Sequence, residues 1–488
     1  MVFMYITTNH WCSLNFARDR IRGNFMEEKL FFYYTNDLHS HFDNWGKIIG
    51  YFKEKKEQHI REGQSHWLVD IGDHVDRFHP IAESMLGKAN VSLLNAANYD
   101  IATIGNNEGI TLDYKNLYNL YNDATFEVVC ANLTSVNGDV PSWLKTSYQF
   151  VSASGVKIGV IGLTAPFNAF YNILGWHIDQ PFQTLDHYIE KVADESDIVI
   201  LLSHLGINED QEIARRYPQI DVIIGGHTHH LLKDGEYINN TLLTAAGKHG
   251  NFVGEVILTW DHHFKSLVKK EGYATSIGHL PSDIETDKQL NQLQLKANKL
   301  LNQTVVTINK SLEVDWFKET FLIKELTETL LQWTEADCAM LNAGLLLEGL
   351  EAGKVSYGDV HRICPHPINP CVVEITGSEL IEIVRGSFDK SLMNLQLKGF
   401  GFRGKVIGRM VFAGVDVEVK KRVDGEYQVL NVNLNNSPVV SSQTYRLATA
   451  DMFTFGKLLP EIARSKSKRF FMPEFMRDLL VDTLQKQF

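Results

Sequence analysis

The amino-acid sequence predicts an α/β protein of two domains, from the chain length, an alternation of strands with helices, and a change of pattern past the middle. At 488 residues the chain is longer than one hydrophobic core usually supports, so two domains are expected. Up to about Trp260, short apolar runs alternate with helical stretches such as 48–62 and 185–196. This alternation is typical of a layered α/β domain. The shorter strands and turns that follow indicate a smaller α+β domain.

The boundary between the domains is predicted at the polar stretch 282–303, which lacks Gly and Pro and reads as a solvated connecting helix. We expect an N-terminal domain at 27–281, a linker helix within 282–311 and a C-terminal domain at 312–488. Residues 1–26 precede the first predicted strand and are expected to be a tail or an over-long start. They contain no compact apolar segment and no small-residue cleavage site, so no signal peptide is recognised.

The composition argues against some classes of binding partner. A net charge of −12 argues against a nucleic-acid duplex, whose binding needs a basic surface. No apolar run approaches the roughly 18 to 20 residues of a membrane span. Five cysteines without regular spacing do not form a disulfide framework, which favours a reduced, cytoplasmic protein. Composition does not indicate an oligomeric state.

Polar residues of metal-binding type follow each of five predicted strands. The strands are 30–35, 67–71, 101–104, 198–202 and 222–224, and the residues are Asp37, His39, Asp73, Asn106, His204, His227 and His229. Because functional groups gather outside the carboxyl ends of strands in open α/β sheets, we expect one sheet to present all seven along one rim.

These ligand types suit a pair of divalent cations. Imidazole and carboxylate oxygen bind Mn, Zn, Co or Fe, and the lack of a cysteine set disfavours a structural zinc site. Asp73 can bridge two ions with its two oxygens. Ions about 3.5 to 4 Å apart would activate a hydroxide for in-line attack on a phosphoryl group. Each short motif alone is weak, since Gly-Asp is also a common turn, but their joint occurrence predicts a dinuclear metal site.

The same motifs resemble those of the calcineurin-like metallophosphoesterases, and within them the two-domain 5′-nucleotidase family. They are Asp37-Leu38-His39, Gly72-Asp73-His74, Gly105-Asn106-Asn107-Glu108, Ser203-His204-Leu205-Gly206 and Gly226-His227-Thr228-His229. The resemblance begins near residue 27 and is stronger before residue 260. It implies a four-layer metallophosphoesterase β-sandwich flanked by helices, followed by a smaller α+β 5′-nucleotidase-like domain that supplies much of the substrate pocket. It also implies that Asp37, His39, Asp73 and His229 hold one ion, and that Asp73, Asn106, His204 and His227 hold the other.

One departure from the family pattern concerns proton transfer. Asn107 stands where the family has a histidine, and Ile110 stands where a nucleotidase has the aspartate that orients it. Asparagine cannot transfer a proton, but its amide can donate a hydrogen bond to a phosphoryl oxygen. The candidate replacement acids are His74, His79, His230 and His249, of which His74, beside Asp73, is preferred. The alternative for each is a surface or supporting histidine.

The substrate pocket is predicted from the C-terminal domain. Asn342-Ala343-Gly344 resembles the start of the family's nucleotide pocket, although the arginine that should follow is absent. Phenylalanines near 400 and 453 could hold a flat ring, since base stacking contributes roughly 1 to 3 kcal/mol, and arginines bind phosphate in bidentate fashion. The alternative is ordinary core phenylalanine. The predicted substrate-binding residues are Asn107, Asn342, Gly344, Phe402, Arg403, Arg409, Phe453 and Phe455.

The predicted activity is metal-dependent hydrolysis of phosphate esters of a small molecule, with nucleotides or nucleotide derivatives as the leading class. An alternative is a cyclic or dinucleotide phosphodiesterase or a nucleotide-sugar pyrophosphatase, because a better leaving group needs less help from an acid. A hypothesis of another class is a metal-dependent nucleotide-binding or sensor protein with little turnover.

Overall fold

The computed structural model describes residues 27–423, 427–456 and 458–488 as two α/β domains joined by a helix. The expectation of a tail at 1–26 lies outside the described residues.

The N-terminal domain contains two mixed sheets, a two-stranded antiparallel sheet of β5 and β9, and the helices that cover them. Its strands are β1 Glu27–Thr35, β2 His66–Asp70, β3 Ile101–Ala102, β4 Glu127–Val129, β5 Leu133–Ser135, β6 Leu144–Lys145, β7 Ser147–Val151, β8 Lys157–Thr164, β9 Trp176–Ile178, β10 Ile198–His204, β11 Val222–Gly225, β12 Glu236–Ile238, β13 Thr241–Thr244, β14 Phe252–Asp261 and β15 Ser266–Ser276. Its helices are α1 Trp45–Glu62, α2 Pro80–Met85, α3 Lys88–Ala96, α4 Asn106–Thr111, α5 Tyr114–Tyr118, α6 Asn168–Tyr171, α7 Pro181–Glu195 and α8 Ile207–Arg216.

The two sheets pack face to face because alternate side chains of each strand point to opposite sides. The first sheet has the order β15-β14-β1-β2-β3-β4-β6, and the second has the order β12-β13-β11-β10-β8-β7. Leu30 and Phe32 of β1 share a buried cluster with Ile200 of β10, whereas Phe31 packs with Ile48 of α1. Helix α7 covers the outer face of the second sheet. The layers are helix, sheet, sheet and helix, which confirms the predicted sandwich.

The connecting helix, α9 Ile284–Leu301, is docked rather than solvated. The Asp283 carboxylate caps its start by accepting the Thr286 N–H at 2.9 Å. Leu293 and Ala297 then join the N-terminal core on which α1 also packs. Strand β16 Thr304–Ile308 follows at once and pairs with β18 Gly353–Ser356. A strand of the second domain therefore begins inside the range predicted as linker.

The C-terminal domain surrounds a mixed sheet of order β20-β17-β24-β19-β25. Its further strands are β17 Cys338–Asn342, β19 Pro370–Thr376, β20 Met410–Ala413, β21 Val415–Lys421, β22 Tyr427–Leu434, β23 Ser437–Pro438, β24 Thr444–Ala450 and β25 Lys468–Phe470. Its helices are α10 Phe321–Thr334, α11 Tyr357–Ile363, α12 Gly377–Gly386, α13 Lys390–Met393, α14 Pro460–Ala463 and α15 Met476–Gln487. Over the part of the chain that is described, no helix has the length and apolar character needed to cross a bilayer.

Candidate metal centre

The seven candidate ligands follow strands of both N-terminal sheets. In the first sheet, Asp37 and His39 follow β1, Asp73 follows β2, and Asn106 begins α4 after β3. In the second sheet, His204 ends β10, and His227 and His229 follow β11. The expectation of a single sheet is therefore wrong, because the edges of two facing sheets form the rim together.

Five of these side chains meet around two carboxylates. His39 Nε2 lies 3.8 Å from Asp37 Oδ1 and 3.5 Å from Asp73 Oδ2. His204 Nε2 lies 3.9 Å from Asp37 Oδ1 and 3.4 Å from Asp73 Oδ1. His229 Nε2 lies 3.4 Å from Asp37 Oδ1. The two oxygens of Asp73 thus face different histidines, as a carboxylate that bridges two ions requires.

The other two candidates lie beside this cluster. His227 donates its backbone N–H to Asp37 Oδ2 at 3.0 Å, and its ring centroid lies 5.4 Å from that of His204. Asn106 Nδ2 donates to Asn107 Oδ1 at 3.3 Å, which leaves the Asn106 oxygen free of this bond. All seven residues therefore gather in one region, and their role as metal ligands stays a prediction.

Two buried acceptors of the cluster, His204 Nε2 and Asn106 Oδ1, have no hydrogen-bond partner among the described residues. His204 Nδ1 lies 2.7 Å from the Ile71 carbonyl oxygen, so Nδ1 carries the ring proton and Nε2 presents a lone pair. An unsatisfied buried acceptor costs roughly 1 to 3 kcal/mol. Divalent cations would satisfy both atoms, and imidazole, carboxylate and amide oxygen are suitable ligands. The residues present therefore fit a metal centre.

The close approach of acids and imidazoles shifts their pKa values in opposite directions. Burial disfavours the charged forms of Asp73 and His204, but their mutual attraction outweighs it. The pKa of Asp73 is held below its usual range, and that of His204 is raised. Burial and then the neighbouring His204 lower the pKa of His227 to about 4. In the absence of ions, protons would partly neutralise the cluster, and metal binding would displace them.

Five candidate ligands adopt a left-handed backbone conformation, which is uncommon outside glycine. The φ angles are 49° at Asp37, 50° at His39, 50° at Asp73, 69° at His227 and 59° at His229. Such conformations cost of order 1 to 3 kcal/mol each and concentrate at functional sites. These sharp turns direct side chains from separate strand ends to one place.

Two glycines let the loops after β2 and β3 touch. A Cβ on Gly72, whose φ is 84°, would lie 2.2 Å from Gly105 N. A Cβ on Gly105 would lie 2.1 Å from Asp73 Oδ1. A side chain at either position would force the loops apart and displace Asp73.

Glu108 fixes the same two loops. Its buried carboxylate accepts N–H bonds from Asp73 at 2.9 Å, Val75 at 2.8 Å and Gly105 at 3.0 Å. Burial, followed by the charge of Asp73, raises the pKa of Glu108 to about 7. Sequence reasoning missed this role, although the position of Glu108 two residues after Asn106 was a signal.

Asn107 lies partly exposed at the edge of the cluster. Its backbone N–H donates to Asp73 Oδ1 at 2.7 Å, and its Nδ2 lies 2.9 Å from His39 Nδ1. The amide of Asn107 therefore lies at the accessible edge of the cluster, and its contact with substrate stays a prediction.

The surroundings of His74 contradict its predicted role as proton donor. The residue is 2 % exposed, its ring lies edge-on to Trp45 at 5.2 Å, and its Nδ1 lies 3.1 Å from Asn90 Nδ2. Burial lowers the pKa of His74 to about 3. It is therefore a neutral core residue behind Asp73, not an acid facing the substrate.

The remaining histidine candidates differ in position. His249 lies beside the cluster, with ring centroids 5.8 Å from His39 and 3.7 Å from His41. Burial, followed by the charge on His41, lowers the pKa of His249 to about 3. His79 caps helix α2, and His230 is exposed.

The aromatic residues predicted to bind substrate divide between core and surface. Phe402 is 3 % exposed and Phe453 is fully buried, so both belong to the C-terminal core, which contradicts a substrate contact. Phe400, 49 % exposed, instead stacks on Phe455 with 5.7 Å between centroids and 8° between planes. The ring of Phe455 also lies 5.7 Å from Phe170 of the N-terminal domain. The accessible aromatic pair thus stands at the boundary of the two domains.

Three further pocket candidates make contacts within the C-terminal domain. Asn342 Nδ2 donates to the Ile407 carbonyl at 2.7 Å, and a Cβ on Gly344 would lie 1.9 Å from the Val406 carbonyl. Both residues are buried, which contradicts a direct substrate contact. The guanidinium of Arg409 lies 5.8 Å from the Phe388 ring centre. Its predicted contact with phosphate has no support in this packing.

Arg403, by contrast, reaches the candidate metal centre, and its predicted contact with substrate stays a prediction. Its Nη2 lies 2.5 Å from Asp76 Oδ2, and the same oxygen lies 3.2 Å from His39 Nδ1. Burial opposes ionisation of Asp76, but Arg403 and His39 outweigh it and hold its pKa below the usual range. Sequence reasoning missed Asp76, and its position three residues after Asp73 was the available signal.

Comparison with known sequences gives matches to two families. Residues 32–231 match the calcineurin-like phosphoesterase family, and residues 300–457 match the 5′-nucleotidase C-terminal domain. An uncharacterized metallophosphoesterase of Bacillus subtilis strain 168, YunD, is 43 % identical over 456 residues, covering 93 % of this chain and 99 % of that protein. The trifunctional nucleotide phosphoesterase protein YfkN of the same strain is 26 % identical over 473 residues, covering 85 % of this chain but 31 % of that protein.

Solved structures with the same architecture include two nucleotidases. The NAD nucleotidase NadN of Haemophilus influenzae has a TM-score of 0.66 at 15 % identity, covering 94 % of this chain and 97 % of that chain. A 5′-nucleotidase precursor from Thermus thermophilus has a TM-score of 0.58 at 19 % identity, covering 94 % of this chain and 96 % of that chain. At these identities the likeness concerns the fold alone.

Proposed function

Because the chain belongs to the calcineurin-like phosphoesterase family and carries a 5′-nucleotidase C-terminal domain, we propose that this phosphoester hydrolase acts on nucleotides or nucleotide derivatives. The observation that carries the proposal is the cluster in which His204 Nε2 and Asn106 Oδ1 are buried without a partner in the described part of the chain. The accessible pair of Phe400 and Phe455 supports a substrate with a planar ring.

The family implies a dinuclear divalent metal centre. Asp37, His39, Asp73 and His229 would hold one ion, and Asp73, Asn106, His204 and His227 the other. When bound, such ions activate water as a nucleophile and neutralise charge on the phosphoryl group. The ligand set suits Mn, Zn, Co or Fe without selecting one of them.

The side chains of the protein then position the substrate. The amide of Asn107 is held by the bond from Asn106 Nδ2 to its oxygen, so its nitrogen can donate to a phosphoryl oxygen. The rings of Phe400 and Phe455 would contact the base. Neither group supplies a proton to the leaving group, so its departure depends mainly on its own stability.

This property favours a second candidate, the hydrolysis of pyrophosphate bonds, as in nucleotide sugars. General acid assistance contributes about 10² to 10⁴ in rate. A nucleotide or phosphate leaving group needs less of this assistance than a sugar hydroxyl does. Asn107 in place of a histidine is the observation that supports this candidate.

The experiment is a screen of protein loaded with each metal against nucleoside monophosphates, cyclic nucleotides, dinucleotides and nucleotide sugars. We expect Asp73→Ala to lose a factor of about 10² or more in rate, because it removes the bridging carboxylate. The matched control is Asp43→Ala, an exposed carboxylate near the first motif, which should keep the parent rate. Equal rates for Asp73→Ala and the parent would refute the metal mechanism.

The same screen addresses the remaining alternative. Tight binding of nucleotides without turnover under every metal would favour the binding or sensor protein. A cytoplasmic location and a small phosphorylated molecule as the partner stay predictions.

A further inference from the structure

One contact between the domains ends at a candidate metal ligand. Asp76, in the loop after β2, is fully buried, and Arg403 approaches it from the segment between α13 and β20. Arg403 Nη2 lies 2.5 Å from Asp76 Oδ2, which in turn lies 3.2 Å from His39 Nδ1. Arginine, carboxylate and imidazole therefore form a chain from the second domain into the centre.

The ring of His39 is oriented as a metal ligand requires. Its Nε2 faces the cluster, 3.5 Å from Asp73 Oδ2 and 3.2 Å from His229 Nε2. The opposite nitrogen, Nδ1, lies 3.2 Å from Asp76 Oδ2 and 2.9 Å from Asn107 Nδ2. Because the amide nitrogen can only donate, a proton on Nδ1 pairs with the Asp76 carboxylate. Histidine ligands of metals almost always donate their second ring N–H to a carboxylate, a carbonyl or water, which fixes the ring and increases its basicity.

Asp76 is held in place from the N-terminal side. Its backbone N–H donates to Ser40 Oγ at 2.9 Å, and its Oδ1 accepts the N–H of Phe78 at 2.9 Å. These neutral contacts leave Oδ2 for His39 and Arg403. Without the guanidinium, a fully buried carboxylate would keep only neutral donors, which is costly.

Arg403 is held equally firmly from the C-terminal side. Its backbone N–H donates to His366 Nδ1 at 2.9 Å, and His366 Nε2 lies 2.8 Å from the Leu345 carbonyl. His366 is fully buried and stacks on Phe402. The backbone of Arg403 is therefore positioned by the C-terminal core.

We propose that Arg403 is a positioning residue of the metal centre, which acts through Asp76 to fix the His39 ring, so that docking of the C-terminal domain completes the ion site. The inference rests on the proposed function, because it requires His39 to be a metal ligand.

The domain interface also supplies the matched comparison. Arg477 Nη2 lies 2.7 Å from Glu83 Oε2, and the Arg477 side chain is 4 % exposed against 22 % for Arg403. This pair also joins the two domains, but the hydrogen bonds of Arg477 go to Glu83 and to backbone carbonyls rather than to any of the seven candidate ligands. A variant of Arg477 therefore loosens the interface without removing a side-chain contact of Arg403, Asp76 or His39. Its bond to His366 ends on the backbone carbonyl, not on the ring nitrogen that accepts from Arg403.

The test measures Mn²⁺ and Zn²⁺ affinity of the full chain by competition with a chelating indicator, after far-UV circular dichroism has confirmed folding. We expect Arg403→Met to lower the affinity for one of the two ions by about 10- to 100-fold, as loss of the partner of a histidine ligand usually does. Asp76→Asn should weaken the binding of the same ion. The double variant should bind that ion with the affinity of the weaker of the two single variants, without a further loss. Arg403→Lys should recover part of the affinity, and Arg477→Met should bind as the parent does.

Three results would overturn the inference. They are parent affinity in Arg403→Met, an equal loss in Arg477→Met, and losses that add in the double variant. Failure of the proposed function is distinguishable, because the parent would then bind no ion pair, or Asp73→Ala would bind as the parent does.

Discussion

Asn107 determines whether position 107 of this cluster can protonate a leaving group. Its backbone N–H is bonded to Asp73 and its side-chain nitrogen lies beside His39, so it is part of the cluster. Its amide can stabilise charge but cannot move a proton. Position 107 therefore lacks a proton donor, and a single substitution can restore one.

We predict that Asn107→His raises the hydrolysis of nucleoside monophosphates by roughly 10-fold, below the full range of about 10² to 10⁴ for an acid, because Ile110 cannot orient the ring. Hydrolysis of an activated aryl phosphate should rise less, since its leaving group needs no proton. Steady-state kcat/KM for both substrates provides the measurement.

The control is Asn107→Leu, which removes the amide at similar size and should slow both substrates. The double variant Asn107→His with Ile110→Asp should exceed Asn107→His on the monophosphate. An equal rise on both substrates would show that the histidine acts on something other than the leaving group.

At single positions, the sequence predicts the candidate ligands better than the residues that hold those ligands in place. Asp73 and His204 follow apolar strands in recognisable motifs, so their convergence follows from the fold. Asp76 and Glu108 act through contacts across loops, such as the 2.5 Å contact to Arg403, that no local pattern records. His74 illustrates the opposite error. It follows Asp73 in the sequence, but its side chain is buried in the core instead of facing the cluster.

At the scale of elements, two turns decide which phenylalanines are accessible. Phe402 N–H bonds the Gly399 carbonyl at 3.0 Å, and Phe400 has a φ of 53°. This turn sends Phe400 outward and Phe402 inward. The 3₁₀ segment Asp451–Thr454 likewise buries Phe453, and Phe455 emerges after it. Sequence spacing alone cannot separate the members of each pair, since turn geometry sets their direction.

We predict that Phe400→Ala raises KM for a nucleoside monophosphate by roughly 5- to 150-fold, the equivalent of a base stacking energy of about 1 to 3 kcal/mol. KM for ribose 5-phosphate, which lacks the base, should not change. Because Phe400 is exposed, the free energy of unfolding should move by no more than about 0.5 kcal/mol.

The matched variant is Phe453→Ala, which should lower the free energy of unfolding by about 3 to 5 kcal/mol through a core cavity. The ratio of KM values for the two substrates should stay at the parent value. If Phe400→Ala raised both KM values alike, the base would not lie on this ring.

At the scale of the whole molecule, charged groups join the domains away from the metal centre. Glu83 of α2 accepts bonds from Arg77, in its own domain, and from Arg477 of α15. The two guanidinium groups lie 4.6 Å and 4.4 Å from the ring of Phe475. Burial opposes ionisation of Glu83, but Arg477 and Arg77 lower its pKa to about 2.

This shift predicts an acid-sensitive interface. A carboxylate whose pKa falls on folding from 4.5 to about 2 stabilises the fold above pH 4.5 and loses this effect as the pH falls towards 2. The stability difference between the parent and Glu83→Gln, on the order of 3 kcal/mol at neutral pH, should therefore shrink across that window. Denaturant unfolding at several pH values measures it.

Glu57→Gln serves as the control for the substitution itself, since the Glu57 side chain is 74 % exposed. A difference that stayed constant from neutral pH down to about pH 3 would contradict the assignment.

The fold itself was predictable to the level of layers and domains. Strands buried on both faces, such as β10, appear as continuous apolar runs, which identify parallel strands. The resemblance implied a sandwich, but the sheet that each strand joins was not predictable, because a buried strand carries no mark of its sheet. The docking of α9 was also missed, since Leu293 and Ala297 form a narrow apolar stripe on a polar helix.

The docking of α9 limits how the halves can move. The helix is fastened to one half and ends at Leu301, while β16, fastened to the other, starts at Thr304. Only Asn302 and Gln303 separate them, and the Gln303 carbonyl already accepts the backbone N–H of Tyr357 in the second domain at 3.0 Å. The two domains are therefore joined without a long linker. Separating the two domains would break several contacts at once. They are the Arg403–Asp76 and Arg477–Glu83 ion pairs, the contact of His361 Nε2 with the Arg77 carbonyl, and the packing of Phe170 on Phe455.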